Sequence, residues 1–176
     1  GDKNNYYIAE PNRIFELYPD AKFLFLVRDP RDVFASYVDL SNLKTDSKYA
    51  PSLTVSAEEF GGEWSKNLKN LDALAGILPH GNFKYVRYED VIAESAVTMQ
   101  DVLKFLNLKL EGSVLAPSKE SQFIEREPAD TLDWKKMTMK APDRSRIGRF
   151  DQVLRVDEVS TLSRCCAVAM ERFGYS

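Results

Sequence analysis

A chain of 176 residues and 20.1 kDa is long enough for one domain with a substantial core, and its 44% apolar and 29% charged residues exclude extended disorder. Twenty-four basic against 27 acidic residues give a net charge of −3, which excludes general coating of nucleic acid or of an anionic membrane. One histidine, His80, and two adjacent cysteines, Cys165 and Cys166, exclude a disulfide framework and the usual zinc spacings, and no metal site is expected. The apolar runs are far short of a membrane span, and Gly1-Asp2-Lys3-Asn4-Asn5 lacks the pattern of a signal peptide. The expected setting is reducing and cytoplasmic.

In chain order, residues 11–18 read as a short helix, with Pro11 in its first turn and Pro19 ending it. Lys22 to Arg28 is a continuous apolar run with a basic residue at each end, the pattern of a buried strand in a parallel sheet. Asp29-Pro30 then supplies an N-cap and a proline at the first helical position, opening a helix to about Asn42. Residues 43–55 read as a loop. Ser56-Ala57-Glu58-Glu59 is a capping box, followed at helical spacing by Phe60, Trp64, Leu68, Leu71, Leu74 and Leu78; Gly61-Gly62 weaken its first turn. Residues 79–82 form a turn, and Phe83 to Tyr88 is a second strand. A helix from about Ser95 is expected to carry Val97, Val102, Phe105 and Leu106 inward. From Lys109 to about Arg155 periodicity is weak. A last helix from about Asp157 places Val159, Leu162, Cys166, Met170 and Phe173 on one stripe, with Gly174 ending it. This order argues for an α/β domain with a parallel sheet flanked by helices, of which two strands are legible.

The segment Arg28-Asp29-Pro30-Arg31-Asp32-Val33-Phe34-Ala35-Ser36 carries the most chemistry. It sets an arginine at the carboxyl end of a buried strand, where open α/β sheets bind ligands, directly before a helix N-terminus. A guanidinium fork matches phosphate, and Ser36, two turns past the cap, can add a neutral donor. The same spacing also fits an Arg28–Asp32 pair with Ser36 as a small packing residue. Between Lys135 and Arg155 seven basic and two acidic residues make a +5 segment, leaving −8 elsewhere. Such a segment suits a polyanionic small molecule, a solvated face, or an RNA contact aided by Trp134 and Phe150; acidity elsewhere makes the last the weakest. There is no G-x-x-x-x-G-K-[ST] and no G-x-G-x-x-G. Glu58, Glu59 and Glu63 read as a solvated helix face, Cys166 as core and His80 as a structural or exposed turn residue.

Four pieces, in order, resemble the PAPS-dependent sulfotransferases, especially their bacterial branch. Asp2-Lys3 before Tyr6-Tyr7 resembles that branch's Asp-Lys-Thr-Pro segment, and Tyr18-Pro19-Asp20-Ala21-Lys22-Phe23 into Val27-Arg28-Asp29-Pro30-Arg31-Asp32 with Ser36 resembles the 3′-phosphate motif. Val86-Arg87-Tyr88-Glu89-Asp90 with Phe105-Leu106 resembles the next strand and helix, and Ser145-Arg146-Ile147-Gly148-Arg149-Phe150 through Phe173-Gly174-Tyr175 the C-terminal part. The resemblance implies a P-loop-nucleotide-hydrolase-like sulfotransferase fold over residues 1–176, and transfer of a sulfuryl group from PAPS to a hydroxyl or amine without a metal. Arg28 and Ser36 would hold the 3′-phosphate and Tyr88 the adenosine half. Arg144, Ser145 and Arg146 would fall near the late phosphate loop, and Lys3 would match a lysine near the transferring group.

Asn4-Asn5 depart from that branch's Thr-Pro, and Asn5 stands where the cytosolic branch has its catalytic histidine. The family's first strand and phosphosulfate loop would lie upstream of Lys3. The chain is therefore expected to be an N-terminally incomplete domain, holding the 3′-phosphate half of the cofactor site and inactive by itself. A missing segment or a second chain would complete the sheet, whose loss of a strand uncovers apolar side chains on Phe23–Val27. A small molecule or glycan is the expected acceptor, with no nucleic acid or membrane partner. The alternatives are a non-catalytic PAP-binding or partner-binding protein, or a nucleotide kinase, which would need the Walker loop and Mg²⁺ ligand that are lacking.

Overall fold

The apolar run at 22–28 folds as strand β1 (Phe23–Val27), which pairs in parallel with β2 (Phe83–Arg87) in the register Phe23↔Phe83 to Val27↔Arg87. The computed structural model describes residues 1–3, 11–42, 52–109 and 143–175, and among these the sheet has two strands. Lys135, Lys136 and Lys140 of the basic segment, the neighbouring Trp134, and most of the 43–55 loop lie outside the described residues. The helices are α1 (Pro11–Leu17), α2 (Pro30–Ser41), α3 (Ala57–Ile77), α4 (Tyr88–Ala93), α5 (Ser95–Leu106), α6 (Phe150–Val153), α7 (Val156–Cys165) and α8 (Ala167–Phe173), with a 3-10 turn at Arg144–Arg146.

Local chemistry sets the helix starts. The Asp29 carboxylate accepts the Arg31 N–H at 2.8 Å with Pro30 at the first helical position, and the Ser56 hydroxyl accepts the Glu59 N–H at 3.3 Å. The α3 stripe buries Phe60, Leu68, Leu71 and Leu74, while Trp64 is half-buried and joins the two core clusters. One cluster packs Phe34 and Ala35 of α2 against Phe60, Phe150, Leu154 and Leu162; the other packs Val27 against Cys166, Met170 and Tyr175. Leu162, Cys166 and Met170 are buried as one stripe, but two helices carry it. The chain turns at Cys166 (φ −104°, ψ 13°) between α7 and α8.

Two further expectations are corrected. Val97 is 64% exposed, because it points away from the sheet while Val102 and Leu103 of the same helix are buried. Tyr88 does not end β2 but opens α4, whose six residues are too few for a periodic signal.

The two faces of the sheet are unequally covered. Val27 and Tyr85 face α8, where Tyr85 meets the Phe173 ring at 5.2 Å. On the opposite face α5 covers β2, with Lys84 paired to Asp101 at 2.6 Å and Val86 buried. Beside them on β1, Leu24 and Leu26 are 40% and 63% exposed.

Candidate anion-binding site

Arg28 follows the last residue of β1, so the strand delivers its guanidinium to the carboxyl end of the sheet. Its Cζ lies 4.5 Å from the centre of the Tyr88 ring, which the parallel register brings alongside from the end of β2. Its Nη2 donates to the Arg146 carbonyl at 2.9 Å and is 3.9 Å from Asp32 Oδ2, a weak pairing. Its Nε is buried and has no hydrogen-bond partner among the described residues. The guanidinium is thus fixed over the Tyr88 ring by one backbone acceptor, with one N–H left unpaired.

Three fastenings hold the 143–150 segment over this end of the sheet. Arg144 donates to the Ala93 carbonyl at the end of α4, Arg28 to the Arg146 carbonyl, and the Gly148 and Phe150 N–H groups to Asp32 at 2.8 and 2.9 Å. Arg149 is paired with Asp39 of α2, and the Arg31 guanidinium lies 4.1 Å from the Phe150 ring centre. Arg31 also makes a fork-like pair with Asp29, closest contact 2.7 Å. Behind the turn from β1 into α2, Glu89 accepts the Asp29 N–H at 3.0 Å and the Tyr175 hydroxyl at 3.1 Å. Burial, and then the Glu89 charge, hold the Tyr175 phenol well above its ordinary range, so it serves as a donor.

The seven residues singled out from sequence fall into four groups. Arg28, Tyr88 and Arg146 meet, with Arg146 contributing its carbonyl. Ser36 is half-buried and donates to the Asp32 carbonyl at 2.9 Å, one turn back in its own helix. Arg144 is turned to α4, while Ser145 donates to Asp143 from both its N–H and its hydroxyl. Lys3 is exposed, its N–H donating to Asp2, and among the described residues no contact joins it to Arg28 or Tyr88. From the sequence Asp32 reads only as a partner for Arg28, and Glu89 carries no signal of a role. Both are buried carboxylates whose partners lie 60 to 118 residues away.

A profile described as the Sulfotransferase family matches residues 1–112. The chain belongs to the sulfotransferase family. Two solved structures share its fold. A sulfotransferase domain from the curacin biosynthetic pathway is 19% identical with a TM-score of 0.69, covering 99% of this chain and 62% of that one. A sulfotransferase domain from the Synechococcus PCC 7002 olefin synthase is 17% identical with a TM-score of 0.68, covering 99% and 58%. The chain therefore spans about three-fifths of the length of these domains. No curated protein matches the sequence significantly. The α/β fold with helices flanking a parallel sheet is that of a sulfotransferase domain, and Arg28, Ser36 and Tyr88 fall within the matched residues. Among the described residues no helix is long and apolar enough to cross a membrane.

Proposed function

We propose that the carboxyl ends of β1 and β2 bind the 3′-phosphate end of PAPS and of its product PAP. The reaction served is sulfuryl transfer to a hydroxyl or amine of a small-molecule or glycan acceptor. The observation that carries this reading is Arg28, a guanidinium with one buried N–H unpaired among the described residues, set 4.5 Å from the Tyr88 ring centre at the carboxyl end of β1. A phosphate meets the charge of the partly exposed Arg28 guanidinium, and the helix N-terminus of α2 adds a favourable field. Tyr88 offers an aromatic surface to the adenosine half. Ser36 contributes a hydroxyl by rotating its proton away from the Asp32 carbonyl, and Arg144, Ser145 and Arg146 add the positive field of the late turn.

In the transfer, the acceptor oxygen or nitrogen bonds to sulfur as the bond from sulfur to the 5′-phosphate oxygen breaks. PAP leaves, and the acceptor proton passes to a base. Lys3 enters this proposal through the motif it matches, as a cation for the developing negative charge. No glycine-rich phosphate loop occurs in the sequence, so the role proposed for these 176 residues by themselves is binding without transfer. Exposed Leu24 and Leu26 support a further segment, from the same polypeptide or a second chain, completing the sheet.

Calorimetric titration with PAP tests the site. Binding is expected in the wild type, with affinity about 30- to 100-fold weaker in Arg28→Ala, the scale of a lost charge-assisted hydrogen bond. Absence of binding, or equal affinity in the variant, contradicts the assignment. Transfer of label from ³⁵S-PAPS by these residues alone would contradict the binding-only role.

A further inference from the structure

Asp32 is 1% exposed and lies at the third position of α2, four residues after Arg28. Taken as a charge alone, it works against the function proposed above. Its carboxylate sits 3.9 Å from the Arg28 guanidinium, where it offsets part of the positive charge that a phosphate would meet. Its other contacts run the opposite way. Oδ2 accepts the Gly148 N–H at 2.8 Å and Oδ1 the Phe150 N–H at 2.9 Å, so one buried side chain ties α2 to a turn 116 to 118 residues later. Gly148 has φ +73°, a conformation that favours glycine and that directs its N–H to the carboxylate. The same turn supplies the Arg146 carbonyl that fixes Arg28.

We propose that Asp32 is the positioning residue of the anion site: it clamps the 146–150 turn so that the Arg146 carbonyl holds the Arg28 guanidinium in place at the carboxyl end of the sheet. The proposal rests on the 3′-phosphate reading. It also fixes the sign of one substitution. In Asp32→Asn the side chain is nearly the same shape, the charge beside Arg28 is gone, and one amide N–H must face a backbone N–H. Were charge the whole of its role, the variant would bind a phosphate more tightly; as a clamp, it binds more weakly.

PAP binding by wild type, Arg28→Ala and Asp32→Asn is measured by calorimetry, with hydrogen exchange followed at the Gly148 and Phe150 amides. The expected result is that Asp32→Asn binds PAP about ten-fold more weakly and exchanges both amides about ten-fold faster. Core amides such as those of Leu74 and Leu162 keep wild-type protection. Asp32→Asn binding as tightly as wild type or tighter, with Arg28→Ala impaired, overturns the clamp and leaves the phosphate reading standing. Wild type without PAP affinity overturns both. If Asp32→Asn does not fold, the wild type decides: saturating PAP is expected to slow exchange at Gly148 and Phe150, and unchanged exchange there overturns the clamp.

Discussion

At the scale of single residues, the proposed site is expected to depend on the shape of Arg28 as much as on its charge. A lysine at that position keeps the charge but loses the planar fork and the stacking on Tyr88. Arg28→Lys is therefore expected to bind PAP about ten-fold more weakly than wild type, a loss read by calorimetry. Wild-type affinity in that variant would show that charge alone suffices. Arg28 was legible in the sequence because an apolar run ends on it. Its platform was not, because Tyr88 reaches it only through the pairing of Val27 with Arg87. Ser36 shows a second limit: serine can always bond back to its own helix, as here to Asp32, and spacing cannot tell that use from ligand binding.

At the scale of elements, Gly61 sits where α3 and α7 approach most closely. A Cβ there would stand 2.7 Å from Cys165 Cβ, which is anchored directly on the α7 backbone and cannot swing away. Gly61→Ala is expected to cost about 1–3 kcal/mol in urea unfolding, despite alanine's better helix propensity; a stabilised variant would refute the close contact. In the sequence Gly61-Gly62 reads as a weak first turn, since the partner of Gly61 is about a hundred residues away. The unequal faces of the sheet give another test. Leu26 and Val86 are register partners on one face, 63% and 6% exposed. Leu26→Ser is expected to change stability by about 0.5 kcal/mol or less, and Val86→Ser to cost about 2 kcal/mol or more. Equal losses would mean that the β1 half of the face is covered. The apolar run by itself foretold strand β1 but not this asymmetry, which the family resemblance anticipated as uncovered apolar side chains on Phe23–Val27 and which follows from α5 packing on β2.

At the scale of the whole molecule, the order of strands and helices was readable because each carries its own period and caps. The break at Cys166 was not, because the buried stripe runs through it without a change of phase. The packing there has a pH signature. Burial pushes the Cys166 thiol up from its usual 9.0 to about 11, and raises the Tyr37 and Tyr175 phenols as well. The folded chain thus keeps protons that the unfolded chain releases. The contribution is full below about pH 9 and is lost as pH rises through the folded values. Urea unfolding is expected to show lower stability at about pH 10.5 than at about pH 8, with a shallower decline in Cys166→Ala. An unchanged slope in that variant would contradict a buried, protonated thiol.

In the proposed function, the sheet end built from Arg28, Tyr88 and the turn at Arg146 recognises a 3′-phosphate. The most direct measurement is the ratio of affinities for PAP and for adenosine 5′-phosphate, which lacks that group, in wild type and in Arg28→Ala. The expected ratio is about 30 or more in the wild type and close to one in the variant. A wild-type ratio near one, or a ratio that survives the loss of Arg28, would contradict it.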